Sequence, residues 1–299
     1  MKYLSVFLLT IVFIGCNNLS SKPKGKIYIN DDYYILLYNI DKNTVDTVIR
    51  KDGPDGLFYH DVYFDSICFS KIVGWPKTQK ASWGFNLYLL HNDVTDTLLY
   101  ETTVRLANLK FTPDGSKIAF LYTEYDKINN EYFKSSCAIY DLDKRQYHTI
   151  LHRNISLSGI SWAKDGQMLF LTSIDGKIIK VNIVGSVIDT ICNGYSPTLS
   201  PDGEKLAFTD KRNIYILNLA TGNKKKVVSK HSLYIPQEPQ YIDLAWSPDS
   251  KFILYQGQYI LAYITGWSSQ YVVLPVEGWG LSHMVANITA RGYGSAWVP

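Results

Sequence analysis

A formal net charge of only +3 on 299 residues gives this chain no electrostatic footprint for nucleic acid. Its lysine groups, Lys22, Lys24 and Lys26 and then Lys224 to Lys226, read as solvated segments, and no nucleic-acid partner is expected. Histidine is scarce. None of His60, His91, His148, His152, His231 and His283 falls in H-E-x-x-H, and His148 and His152 would share a strand face too far apart to hold one ion. No metal is expected. The phosphate loop G-x-x-x-x-G-K is missing, and so is the nucleophile elbow G-x-S-x-G; its nearest approaches, GYSPT at 194–198 and GWSSQ at 266–270, lack the second glycine. HNDVTD (91–96) and INDD (29–32) cluster oxygens without the spacing of a calcium loop. The sequence shows no catalytic residue, calls for no cofactor and reads as non-enzymatic.

A long apolar run is also lacking. Residues 4–14 are apolar-rich but too few to span a bilayer. Lys2 before them and Gly15-Cys16 after them give the charged, apolar and small-residue order of a secretory signal. The ending Phe13-Ile14-Gly15-Cys16 resembles a bacterial lipobox, with Phe13 where leucine is usual, so the resemblance implies cleavage before Cys16 and lipid on it. Residues 1–15 are then signal and 16–25 a lipidated tether, which places the protein at the cell envelope, on the outer membrane facing the periplasm. Cysteine numbers four in all, so Cys68, Cys137 and Cys192 remain; they sit in apolar strands of separate units and are expected as buried thiols, not bridges.

What the chain does have is repetition. Six stretches superimpose without a gap, beginning at Tyr38, Tyr88, Tyr140, Val181, Leu217 and Tyr263. In each, a short apolar run meets a polar turn, and ten residues after the first position stands an apolar pair, such as Val48-Ile49, Ile150-Leu151 or Val273-Leu274. That pattern is a β-hairpin. Ahead of the hairpins stand FTPDGSKIAF (111–120), WAKDGQMLFL (162–171), LSPDGEKLAF (199–208) and WSPDSKFILY (246–255). Proline presets φ, aspartate bonds its own backbone and glycine accepts positive φ, so Asp114, Asp165, Asp202 and Asp249 are turn residues first. A shortened copy, YFDSICF, occupies 63–69.

Four strands per repeat make a propeller blade. The expected fold is all-β, one six-bladed propeller over 26–299, closed by pairing the C-terminal strand with N-terminal strands. Trp297-Val298-Pro299 begins the turn motif whose other half is absent ahead of residues 26–41. Blade one is composite, 288–299 plus 26–50, and the others cover 56–101, 105–152, 155–192, 195–229 and 240–275.

At its Pro-Asp-Gly turns the chain resembles the WD-like propeller repeats of the TolB family, which also underlie prolyl oligopeptidases. The resemblance implies fold and says nothing of activity. It departs from TolB in having only a tether before the first strand, and from the peptidases in having no room for a hydrolase domain.

Strand parity puts the tight turns on one face of such a ring and the insertions 51–57, 70–85, 122–136, 229–240 and 275–290 on the other. Those insertions carry Trp75, Trp83, Tyr125, Tyr132, Phe133, Tyr234 and Trp279, residue types that anchor interfaces. At the channel mouth on that face the inner strands should begin near His60, Asp61, Arg105, Asp243 and Arg291. The sequence therefore reads as a lipid-anchored scaffold that binds an envelope protein through its long-loop face. The alternatives are a channel-mouth enzyme of lyase or lactonase type and a propeller that binds a small anion or sugar.

Overall fold

The computed structural model describes residues 23–31, 34–50, 57–73, 84–92, 94–99, 104–126, 131–132, 135–229, 234–236, 243–259, 269–277, 283–286 and 295–299. Every regular element among them is a strand. The first three are β1 (Lys26–Asp31), β2 (Tyr34–Asn39) and β3 (Thr44–Arg50). Then come β4 (Leu57–Tyr63), β5 (Ser66–Val73), β6 (Gly84–His91) and β7 (Val94–Leu99). The middle of the chain holds β8 (Val104–Phe111), β9 (Lys117–Asp126), β10 (Glu131–Tyr132), β11 (Ser135–Asp141), β12 (Gln146–Trp162), β13 (Met168–Ser173), β14 (Lys177–Asn182) and β15 (Val187–Asn193). Next are β16 (Tyr195–Leu199), β17 (Lys205–Asp210), β18 (Asn213–Asn218) and β19 (Lys224–Val228). The last are β20 (Tyr234–Pro236), β21 (Leu244–Trp246), β22 (Phe252–Tyr259), β23 (Ser269–Pro275), β24 (His283–Ala286) and β25 (Ser295–Val298).

These strands form an all-β propeller, but the expectation of six separate blades is not met. Four discrete blades are present: β25-β1-β2-β3, β4-β5-β6-β7, β16-β17-β18-β19, and a five-stranded blade built on β22. The units expected at 105–152 and 155–192 are one eight-stranded sheet. The cause is β12, which runs unbroken for 17 residues. Its first half pairs with β11 and its second half with β13, and Ile155 pairs with both Ser135 and Ser173. With no insertion at residues 152–154, nothing interrupts the strand. The sheet still folds on itself, since Ala119, Leu121 and Cys137 of its first half share a buried cluster with Trp162, Leu169 and Leu171 of its second.

The apolar pair of each hairpin has a structural reason. In five hairpins the register slips by one at the first member of the pair, as where Ile35 faces Ile49 but Leu36 faces Thr47, leaving Val48 as the extra residue. Leu98, Ile150, Ile191 and Val227 are bulged in the same way. A bulge puts two successive side chains on nearly one side and increases twist, which explains why the alternation breaks there. The copy beginning at Tyr263 differs. Val273 and Leu274 lie in β23, paired with Leu254 and Ile253, and the bulge falls at Val285 in β24.

The Pro-Asp-Gly turns hold as their chemistry dictates. Backbone N–H groups two residues on donate to the carboxylates: Ser116 to Asp114 at 3.0 Å, Gln167 to Asp165 at 2.9 Å, Glu204 to Asp202 at 2.9 Å and Lys251 to Asp249 at 3.2 Å. Gly115 takes φ +73° against the Tyr63 ring, and Ser250 takes φ +59° at the equivalent place. The Ser250 hydroxyl accepts a bond from Asp202 N at 3.2 Å, so consecutive turns touch.

Ring closure is direct. Ser295, Ala296, Trp297 and Val298 pair antiparallel with Ile29, Tyr28, Ile27 and Lys26. The Trp297 indole donates to Lys24 O at 2.8 Å and packs with Ile27, Ile29, Phe252, Leu254 and Tyr271. Pairing the two ends removes two free sheet edges.

Candidate functional site

Inner strands β4, β8, β12, β16, β21 and β25 surround a cavity of about 270 Å³. Thr112, Pro113, Pro201 and Val298 belong to its lining, so it lies at the Pro-Asp-Gly end of the channel. Tyr63, Phe111, Trp162, Trp246 and Trp297 contribute aromatic wall, while Asp61, Lys110, Ser161, Thr198 and Ser295 supply polar groups. The indoles are fixed by their own bonds: Trp162 donates to Lys110 O at 3.0 Å and Trp246 to Thr198 O at 2.9 Å.

Polar side chains staple one inner strand to the next. Asp61 accepts from Phe111 N at 2.8 Å through one oxygen and from Lys110 Nζ at 3.0 Å through the other. Ser161 accepts from Leu199 N at 2.9 Å, and Asp243 accepts from both the backbone N and the hydroxyl of Ser295. The Lys110 side chain keeps 23 % of its surface open, yet protein encloses it, so it meets a confined channel and not bulk water. Burial opposes its charge, but the Asp61 and Asp243 carboxylates outweigh that and hold the ammonium above its ordinary range. Burial pushes Asp243 up from the usual carboxylate range, although Lys110 and the Ser295 donors pull the other way.

His60, one residue from Asp61, is fully buried, and neither ring nitrogen reaches a partner at hydrogen-bonding geometry. Burial first, and the Lys110 charge second, lower it to about 3, against a slight opposing pull from the Tyr28 backbone. It is therefore a neutral imidazole between blades, not a group presented at a mouth.

Asp61 is thus ion-paired with Lys110, while the Asp243 carboxylate acts on that ammonium from beyond salt-bridge distance. Arg105 stands in β8 paired with Thr123, and its side chain lies outside the described residues, as does Arg291 altogether. Trp75, Trp83, Phe133 and Cys16 are outside them too. Tyr125 and Tyr132 pair in register across β9 and β10, so part of the 122–136 insertion is a hairpin extension of the sheet. Tyr234 pairs with Tyr259 in the same fashion. Trp279 lies outside the described residues as well.

Sequence reasoning missed Lys110. The available signal was a lysine inside the apolar inner strand LANLKF, which burial obliges to find a carboxylate. Cys68 and Cys137 are free and buried, and burial raises both thiols above their ordinary range; Cys192, on an outer strand, is half-buried. Among the described residues no group of three or more His, Cys, Asp or Glu side chains is placed to hold a metal ion.

The class that this architecture defines is a β-propeller with repeated Pro-Asp-Gly turns and a ring closed by its own two ends. No protein-family model matches the chain. Among curated proteins it is similar to the Tol-Pal system protein TolB of Francisella tularensis subsp. tularensis strain WY96-3418, 24% identical over 159 residues, or 46% of this chain and 37% of the relative. The same protein of subsp. holarctica strain OSU18 is 28% identical over 125 residues, or 37% of this chain and 27% of the relative. The match thus spans well under half the length of these curated relatives. Of solved structures, TolB from Acinetobacter baumannii superimposes with a TM-score of 0.56 at 16% identity, covering 88% of this chain and 68% of that one. A structure from Agrobacterium tumefaciens bearing the TolB name gives 0.60 at 12% identity, with 89% of each chain covered. These likenesses support the TolB-like fold, while the six-bladed form in which the resemblance was first framed is corrected by the fused central sheet.

Proposed function

We propose that this chain is a non-enzymatic, protein-binding propeller of the bacterial cell envelope, tethered by lipid on Cys16, which engages an envelope protein through its long-loop face. The observation that carries the reading is the similarity to proteins named for the Tol-Pal system, a name that denotes a multi-protein assembly. The strand plan supports the choice of face. At the Pro-Asp-Gly end the turns are short and two consecutive ones are bonded to each other, whereas β3, β5 and β9 end at the opposite side, where the sequence has the insertions 51–57, 70–85 and 122–136. Trp75, Trp83, Tyr125, Tyr132, Phe133, Tyr234 and Trp279, the aromatic residues of the insertions read from the sequence, are the proposed anchors.

Several acyl chains hold a protein on a bilayer far better than one, so a lipobox cysteine that carries several predicts firm membrane retention. Cys16→Ser should abolish fatty-acid labelling and release the protein into the soluble fraction. Retention of the unlabelled variant would refute the tether.

A further inference from the structure

The chain enters the ring at its Pro-Asp-Gly end. Gly25 N donates to the Asp41 carboxylate at 3.2 Å, Ile40 N donates to Gly25 O at 3.0 Å, and the Trp297 indole holds Lys24 O. Leu142 N to Ser116 O and Leu219 N to Glu204 O are the same contact in other blades, so Gly25 stands where a Pro-Asp-Gly turn runs into its second strand. The turns at this end adjoin one another around the channel: a Cβ on Gly115 would meet Tyr63, one on Gly166 would meet Pro113 and one on Gly203 would meet Lys164. The same end carries the three most exposed large apolar side chains among the described residues, Phe64 at 77 %, Val184 at 76 % and Val94 at 64 %. Ser66 pairs with His91, which sets the turn before Val94 beside that of Phe64, and Ile183 N bonds Gln167 O, which sets the turn of Val184 beside that of Asp165. Phe64 has φ +49°, a conformation that bulky residues rarely take, and its ring meets Tyr63 edge-on with centroids 4.7 Å apart.

We propose that the Pro-Asp-Gly face is the membrane-facing surface of the ring, seated on a phospholipid bilayer with Phe64, Val94 and Val184 in its interface, so that the long-loop face points away from the membrane. This rests on the reading that Cys16 carries lipid. Residues 16–22 span at most about 25 Å even when fully extended. To bring the other face to the bilayer, the tether would have to pass β2 and β3, about 10 Å, and then run the length of a six-residue strand, about 20 Å more. It is too short for that path. Three tips on separate turns, with the polar, exposed Asp65, Asn92 and Ser186 beside them, form no continuous apolar core for a protein interface. A fluid interface receives them singly, about 5–10 Å deep at the boundary of headgroup and acyl chain.

The acylated chain in phosphatidylcholine vesicles tests this, with an environment-sensitive dye on Val94→Cys, Val184→Cys or Ile174→Cys in a Cys192→Ser background. Ile174 is exposed on the turn between β13 and β14, at the long-loop end, and is the control. Lipids carrying a bilayer-confined quencher should quench the dye at 94 and at 184 severalfold more than at 174. Adding Phe64→Asp and Val184→Asp to the Val94→Cys protein should bring its quenching down to the level at 174 at unchanged Tm, since both side chains are exposed. Equal or stronger quenching at 174, or quenching that survives the two aspartates, would overturn the proposal. So would a blue-shifted dye at 94 and 184 that lipid does not quench, which would put a protein or a second copy on this face. A chain that leaves the cell without an acyl group on Cys16 would sink the tether and this orientation together; an acylated, vesicle-bound chain with unquenched dyes at 94 and 184 would sink the orientation alone.

Discussion

Trp297→Ala should destabilise the whole ring, not merely loosen the C-terminus. The indole is 8 % exposed, packs among Ile27, Ile29, Phe252, Leu254 and Tyr271, and donates to Lys24 O at 2.8 Å. Truncating a buried tryptophan to alanine costs about 3–5 kcal/mol, and leaving a carbonyl without its donor adds about 1 kcal/mol where water does not replace it. For a domain of this size a loss of ~4 kcal/mol lowers Tm by about 8 °C. Trp246 is the internal standard, because it sits in the equivalent turn motif, is 4 % exposed and donates to Thr198 O at 2.9 Å. If closure couples the two chain ends, Trp297→Ala and Trp246→Ala should lower Tm by similar amounts in differential scanning calorimetry, each with one cooperative peak. Trp297→Phe, which keeps an aromatic ring and loses the donor, should cost about 1–2 kcal/mol by the same reckoning. A Trp297→Ala protein that melts with the wild type would show that β25 is an accessory and that the ring does not depend on it.

Acid should weaken the fold through His60. Its folded pKa of about 3 lies below the ordinary 6.5, so protonation favours the unfolded chain; the stability is fully present above pH 6.5 and is lost as pH falls toward about 3. By linkage the full loss is on the order of 5 kcal/mol, and His60→Leu should flatten this limb of a plot of urea midpoint against pH. An unchanged slope between pH 6 and 4 would contradict the buried neutral imidazole. Gly115→Ala and Gly222→Ala should separate steric from conformational cost, since both glycines have φ near +70°, but an added Cβ would meet the Tyr63 ring at 2.2 Å in the first and open space in the second. The second should cost about 1 kcal/mol and the first distinctly more in chemical denaturation; equal costs would mean that Tyr63 does not rest on the turn.

The parts of this fold legible in the sequence are those whose chemistry is local. Asp114, Asp165, Asp202 and Asp249 each bond a backbone N–H two residues on, and the Trp297-Val298-Pro299 ending is the start of a turn motif, so β25 closing on β1 could be read from pattern. What escaped depends on context. Nothing in residues 152–154 announces that the chain stays extended from the rim to the channel, because continuity leaves no punctuation of glycine or proline. The apolar pair Val273-Leu274 matched the hairpin spacing by coincidence, since β23 is apolar throughout and Val285 holds the bulge. At the channel, Asp61 and Asp243 could be placed on inner strands, but the pairing of Asp61 with Lys110 joins residues 49 apart, which no local spacing records.

The most direct test of the binding face is in-cell crosslinking followed by identification of the captured protein. Wild type is compared with a Trp75→Ala, Trp83→Ala, Tyr132→Ala, Phe133→Ala variant and with a Lys164→Glu, Glu204→Lys variant altered on exposed turns of the opposite face. Removing interface anchors costs about 2 kcal/mol or more each. The loop-face variant should therefore lose the specific partner at unchanged Tm, and the turn variant should keep it. Capture by the loop-face variant at the wild-type level, or loss only in the turn variant, would contradict the account.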